Sequence, residues 1–133
     1  MGFDPTRDYP LGLARPDLVA TPSGVPLAEL SLDAPDLDAS ELRATPDTLR
    51  LQAEVARAAG RGQLAENLLR AAELATVADE TILQIYTALR PRRSTAAELE
   101  AWAAKLESWG APLTAAFVRE ASHVYRERGL LAV

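Results

Sequence analysis

The sequence predicts an all-α fold: a compact bundle of about five helices over residues 45–133, preceded by an extended, proline-rich N-terminal arm over residues 1–44 that has no independent fold. Three observations predict it. Six of the nine prolines precede residue 45, and Pro5, Pro10, Pro16, Pro22, Pro26 and Pro35 leave no room there for a long helix. After residue 45, apolar side chains recur at helical spacing in five successive segments. Those segments open or close on cap residues, prolines and glycines, which are the punctuation of short helices joined by short turns.

In the arm, Pro22-Ser23-Gly24 separates two apolar runs, Leu18-Val19 and Val25 to Leu32, so a short hairpin or an extended segment fits. The arm is nevertheless rich in apolar residues, from Phe3, Tyr9, Leu11 and Leu13 to Leu30, Leu32 and Leu37. An arm alone has no core in which to bury them, so it is expected to lie against its own helices or another chain.

The first long helix starts at Thr45-Pro46, a cap followed by proline at the first helical position, and ends at Gly60. Its inward stripe reads Leu51, Val55, Ala58 and Ala59. A second runs from about Gln63 to Val77, with Leu64, Leu68, Ala71, Ala72 and Ala75 inward. The third takes Asp79 as its cap and carries Ile82, Ile85, Tyr86 and Leu89. The fourth opens on a capping box, Thr95 with Glu98, and presents Leu99, Trp102, Ala103 and Leu106. The fifth begins at Pro112, shows Leu113, Ala116, Phe117, Ala121 and Val124, and closes at Gly129.

Composition excludes several functions. There is no cysteine and His123 is the only histidine, which removes thiolate sites, two-histidine metal sites and a spare base for a serine triad. The net charge of −5 resides in residues 1–44, where eight acidic groups face three basic ones. A nucleic-acid footprint needs a net basic face, so none is expected. No apolar run approaches the roughly 20 residues of a spanning helix, and the opening MGFDPTRDYP is no secretory signal. The expected location is the cytoplasm. Paired carboxylates such as Asp79-Glu80 and Glu98-Glu100 fall at helix starts, where they complement the dipole. The loop Gly60-Arg61-Gly62 joins two helices, the wrong setting for a phosphate cradle.

One stretch stands apart: ILQIYTALRPRRST, residues 82–95. Pro91 ends the third helix, and Arg90, Arg92 and Arg93 flank it. Two readings fit, a solvated turn whose cations meet the helix's negative end, or a fixed arginine cluster that engages carboxylates or carbonyls of a partner.

Six ordered blocks carry a further signal: DYPL at 8–11, RPDLVATPSG at 15–24, TPDTLRLQA at 45–53, AENLLRAAEL at 65–74, ILQIYTALRPRRST at 82–95 and AAFVREASHVYRERG at 115–129. Together they resemble the small subunit of adenosylcobalamin-dependent diol and glycerol dehydratases. The resemblance implies one component of a lyase assembled as a dimer of heterotrimers, which converts propane-1,2-diol or glycerol to an aldehyde and water by a radical route. It implies that the large subunit holds the diol and its metal ion, that adenosylcobalamin lies between the large and medium subunits, and that this chain carries no catalytic, cofactor-binding or metal residue. It favours a docking role for Leu18, Val19, Tyr86, Arg90, Arg92 and Arg93 on the large subunit. Only about seven residues precede DYPL, too few for a useful amphipathic leader, so delivery to a microcompartment is expected only through a partner's signal. The alternative is a free-standing helical adaptor.

Overall fold

A computed structural model of the chain describes residues 2–31, 33 and 38–133. Leu32, Pro35 and Leu37 of the arm lie outside the described residues. The chain divides into two compact units, Met1–Ala75 and Thr76–Val133. Both are helical, and the all-α expectation holds among the described residues.

The first unit contains the arm, which carries a short helix α1 (Leu11–Ala14) and 3₁₀ turns at Pro16–Leu18 and Leu27–Glu29. Asp8 is its organising residue, and it is buried. Its carboxylate accepts from Arg7 Nε at 2.7 Å, Arg7 Nη2 at 2.8 Å and the Asp4 N–H at 2.9 Å, with Arg15 Nη1 at 3.5 Å. The Arg7 guanidinium, then the Asp4 amide, hold its pKa below the ordinary carboxylate range. Further on, Ala20 and Pro26 form an isolated antiparallel bridge. Gly24 turns the chain there at φ +92°, which is the hairpin-like turn expected at Pro22-Ser23-Gly24.

Two helices complete this unit, α2 (Pro46–Ala58) and α3 (Gly62–Leu74). Thr45 caps α2, accepting the Thr48 N–H at 3.2 Å. Gly60, at φ +78°, closes it in a left-handed turn that lets the Arg61 N–H reach the Ala56 carbonyl at 2.8 Å. The tight turn sets α2 against α3 on their smallest residues. Ala53, Ala56 and Ala65 are buried, with Leu68 and Leu69 packed on them.

The α2 contact face is therefore rotated from the expected stripe. Leu51 and Val55 are half-buried, while Ala58 and Ala59 are exposed. On α3, Leu64 and Ala71 are likewise exposed while Ala65 and Ala72 are buried, and the helix ends at Leu74 rather than near Val77. Alanine contributes little hydropathy but permits the closest approach of two backbones, and close packing decides the face.

The second unit holds α4 (Asp79–Ala88), α5 (Ala96–Ser108) and α6 (Pro112–Arg128). The cap of α4 is Ala78, in extended backbone, and Asp79 is the first helical residue. Asp79 and Glu80 thus favour the helix through its dipole, and Asp79 is not the cap expected. The capping box at Thr95 and Glu98 is formed in both directions. Gly110, at φ +76°, turns α5 into α6, and the Ala111 N–H bonds the Leu106 carbonyl at 2.8 Å.

Leu99, Ala103 and Leu106 of α5 are buried, as are Thr114, Ala115 and Val118 of α6 and Ala111 between them. The outward stripe of α6 includes Leu113 and Phe117, both expected inside. Leucines of α5 already fill the interior, so α6 turns its alanine-bearing face to them. Arg119 fastens the pair, its Nη2 2.8 Å from Glu100 Oε1 and its Nη1 bonded to Glu107. Hydrogen bonds from the arginine depress both carboxylate pKa values.

Candidate subunit interface

The Arg90-Pro91-Arg92-Arg93 corner is built from backbone upward. Helix α4 stops at Ala88, where Leu89 caps it and Pro91 prevents its continuation. Arg90 lies just past the helix, its N–H on the Thr87 carbonyl at 3.2 Å. Arg92 then takes φ +63°, the left-handed region that a non-glycine residue occupies at a cost of about 1 kcal/mol.

Its surroundings hold it there. The Arg92 N–H donates to the Leu130 carbonyl at 2.7 Å, and the Ala132 N–H donates to the Ser94 carbonyl at 2.8 Å. Ser94 is buried and its Oγ donates to the Ala88 carbonyl at 2.8 Å. Tyr125 of α6 donates its hydroxyl to the Leu89 carbonyl at 2.5 Å. Left-handed Gly129, at φ +68°, turns the end of α6 back so that Leu130 reaches Arg92.

Several backbone groups of the corner are thus bonded inward, and Arg90, Arg92 and Arg93 are exposed. Tyr86 is 59% exposed, and Leu83 is 64% exposed one turn before it. Leu83 and Tyr86 are three residues apart on α4, so they share a face. Leu83 is an exposed apolar residue of this face that the sequence reading did not single out. The signal that could have found it is the same spacing, read as an outward row.

Leu18 and Val19 belong to the first unit. Both are half-buried, and the Val19 carbonyl accepts the Leu27 N–H at 3.1 Å. Among the described residues, the large apolar side chains that the arm turns outward are Tyr9, 67% exposed, Leu13, 82% exposed, and Leu42, 63% exposed. The arm and the α2–α3 hairpin line a groove of about 910 Å³ with Tyr9, Leu11, Val55, Leu64 and Leu68 on its walls.

Among the described residues no three His, Cys, Asp or Glu side chains gather as a metal site, and no helix is long and apolar enough to cross a membrane. His123 is exposed on α6, 3.4 Å from Glu127. Outward arginines beside an exposed tyrosine and leucine are the composition of a protein-docking surface. The class is a small protein that is helical among the described residues.

The comparisons place it further. The dehydratase small-subunit family model matches residues 5–132, and the chain belongs to that family. It is 50% identical over 125 residues to the propanediol dehydratase small subunit of Citrobacter freundii, covering 91% of this chain and 73% of that protein. To the propanediol dehydratase small subunit of Salmonella typhimurium strain LT2 it is 49% identical over 125 residues, covering 91% and 72%. As a small subunit of a multi-subunit enzyme, it has partner subunits.

Proposed function

We propose that this chain is the small structural subunit of an adenosylcobalamin-dependent diol dehydratase that converts propane-1,2-diol or glycerol to an aldehyde and water. The observation that carries the reading is the 50% identity, over 91% of the chain, to a propanediol dehydratase small subunit. The holoenzyme is a dimer of heterotrimers with large and medium subunits, and the chain's work is to complete it. Residues 45–133 are its helical domain, and the arm of residues 1–44 depends on α2 and α3 for a surface to pack against. The assembly operates in the cytoplasm, free or within a microcompartment.

Adenosylcobalamin supplies the radical chemistry. In this chain the one histidine, His123, stands exposed beside Glu127, which supports a cofactor site in the other subunits. The cofactor and the chemical steps are assigned to the partner subunits. Here the residues act by holding position, with Tyr86, Arg90, Arg92 and Arg93, together with Leu18 and Val19 of the arm, holding the large subunit. The fixed corner supports this, because arginine forks whose backbone is already immobilised lose less freedom on docking.

Coexpression with candidate large and medium subunits tests the reading. The expected result is copurification, and adenosylcobalamin-dependent aldehyde formation from 1,2-diols that falls when this chain is omitted. A chain that joins neither partner, and whose omission leaves activity intact, refutes it.

A further inference from the structure

The corner is one part of a larger feature. Between residues 76 and 133 the chain has seven basic and seven acidic side chains. Five of the seven cations gather at one end of the second unit. The Leu130 carbonyl on the Arg92 N–H and the Tyr125 hydroxyl on the Leu89 carbonyl bring the end of α6 to the end of α4. Arg126 and Arg128, in the last turn of α6, therefore join Arg90, Arg92 and Arg93.

All five are exposed. None forms an ion pair among the described residues, whereas Arg7, Arg15, Arg50 and Arg119 all do. The side-chain carboxylates nearest them in sequence are committed elsewhere: Glu98 accepts the Thr95 N–H, and Glu127 faces His123. Helix dipoles explain part of the gathering, since α4 and α6 both end here. Each end is equivalent to only about half a negative charge, which leaves most of five guanidinium charges unanswered.

Resting on the small-subunit reading, we infer that Arg90, Arg92, Arg93, Arg126 and Arg128 form a single electrostatic docking surface for a carboxylate-rich patch on another subunit of the dehydratase. Each guanidinium presents a planar fork that fits a carboxylate with two hydrogen bonds. A protein patch suits the charge distribution better than a polyanion does. The chain carries −5 overall, which repels a long nucleic acid, while a short acidic patch senses mainly the field within the Debye length of about 8 Å.

The test measures the affinity of the full chain for the coexpressed large and medium subunits between 50 and 500 mM NaCl. It compares wild type with Arg126→Gln/Arg128→Gln and with the lysine pair Arg126→Lys/Arg128→Lys. Arg50→Gln/Arg57→Gln, on α2, is the charge-matched control. The expected result is wild-type affinity that falls about tenfold or more across the salt range, and a glutamine pair about tenfold weaker at low salt with a flatter slope. The lysine pair keeps the slope and the α2 control behaves as wild type. Wild type that binds with no salt dependence, or a glutamine pair indistinguishable from it, overturns the inference and leaves the small-subunit reading standing. Wild type that binds neither subunit at any salt removes that reading, and this surface with it. A mobility shift of duplex DNA by wild type at 150 mM NaCl, lost in the glutamine pair, overturns the assignment of a protein partner.

Discussion

Arg92→Gly separates folding from docking at one residue. Arg92 lies at φ +63°, and removing its Cβ relieves about 1 kcal/mol of left-handed strain. Glycine also loosens the unfolded chain, which costs about 0.4–1 kcal/mol. The N–H that donates to the Leu130 carbonyl at 2.7 Å is kept. The two effects nearly cancel, so stability changes by no more than about 0.5 kcal/mol. Arg92→Val keeps the strain and adds a β-branch that the left-handed region excludes, with a loss of about 1–3 kcal/mol. Urea denaturation of the full chain, followed by far-UV circular dichroism, reads both. In the assembly, Arg92→Gly lowers affinity severalfold if the guanidinium meets its partner at a wet rim, and by about two orders of magnitude or more if it is buried there. The reasoning is refuted if glycine destabilises as much as valine, or if glycine leaves both folding and assembly untouched.

Other perturbations test the supports of the fold. Leu106 is fully buried between α5 and α6, so Leu106→Ala costs about 2–5 kcal/mol by urea denaturation, while Leu83→Ala on the exposed face of α4 stays within about 0.5 kcal/mol. Thr95→Ala removes the hydroxyl that accepts the Glu98 N–H at 3.2 Å and lowers stability by about 1 kcal/mol. Asp8 has a depressed folded-state pKa, so its contribution is present above the unfolded value of about 4 and is lost as pH falls through the lower folded value. Limited proteolysis of the arm is expected to accelerate as pH falls from about 4 through that range, and Asp8→Asn is expected to be cut faster at neutral pH with little further response to acid.

Helix punctuation was the most legible layer. Thr45-Pro46, the Thr95–Glu98 box, Pro112 and Gly129 mark ends because each solves a local problem, an orphan amide or a forced backbone angle, within three or four residues of itself. Facing was less legible. Leu113 and Phe117 have greater hydropathy than Ala115, yet Ala115 is buried and they are not, because what α5 presents across the contact is invisible in the sequence of α6. The Asp8 hub was hidden for the same reason: Arg7 and Arg15 reach it through turns with no period.

The candidate site divides along that line as well. Arg90-Pro91-Arg92-Arg93 announced a turn, but nothing local announced the positive φ of Arg92, where glycine or asparagine is the usual sign. The cause is remote, a carbonyl at Leu130 and the turn at Gly129 that delivers it. That geometry supports the proposed docking role beside the solvated-turn reading. A turn that served only to reverse the chain is made with less strain by glycine, as the same chain does at Gly24, Gly60, Gly110 and Gly129. At residue 92 an arginine takes that conformation with its N–H bonded to the Leu130 carbonyl, and strain held in place by its surroundings supports the proposed docking role. On the proposed reading, the exposed side chain of Arg92 supplies what the turn itself does not need, a cation for the partner that docks on it.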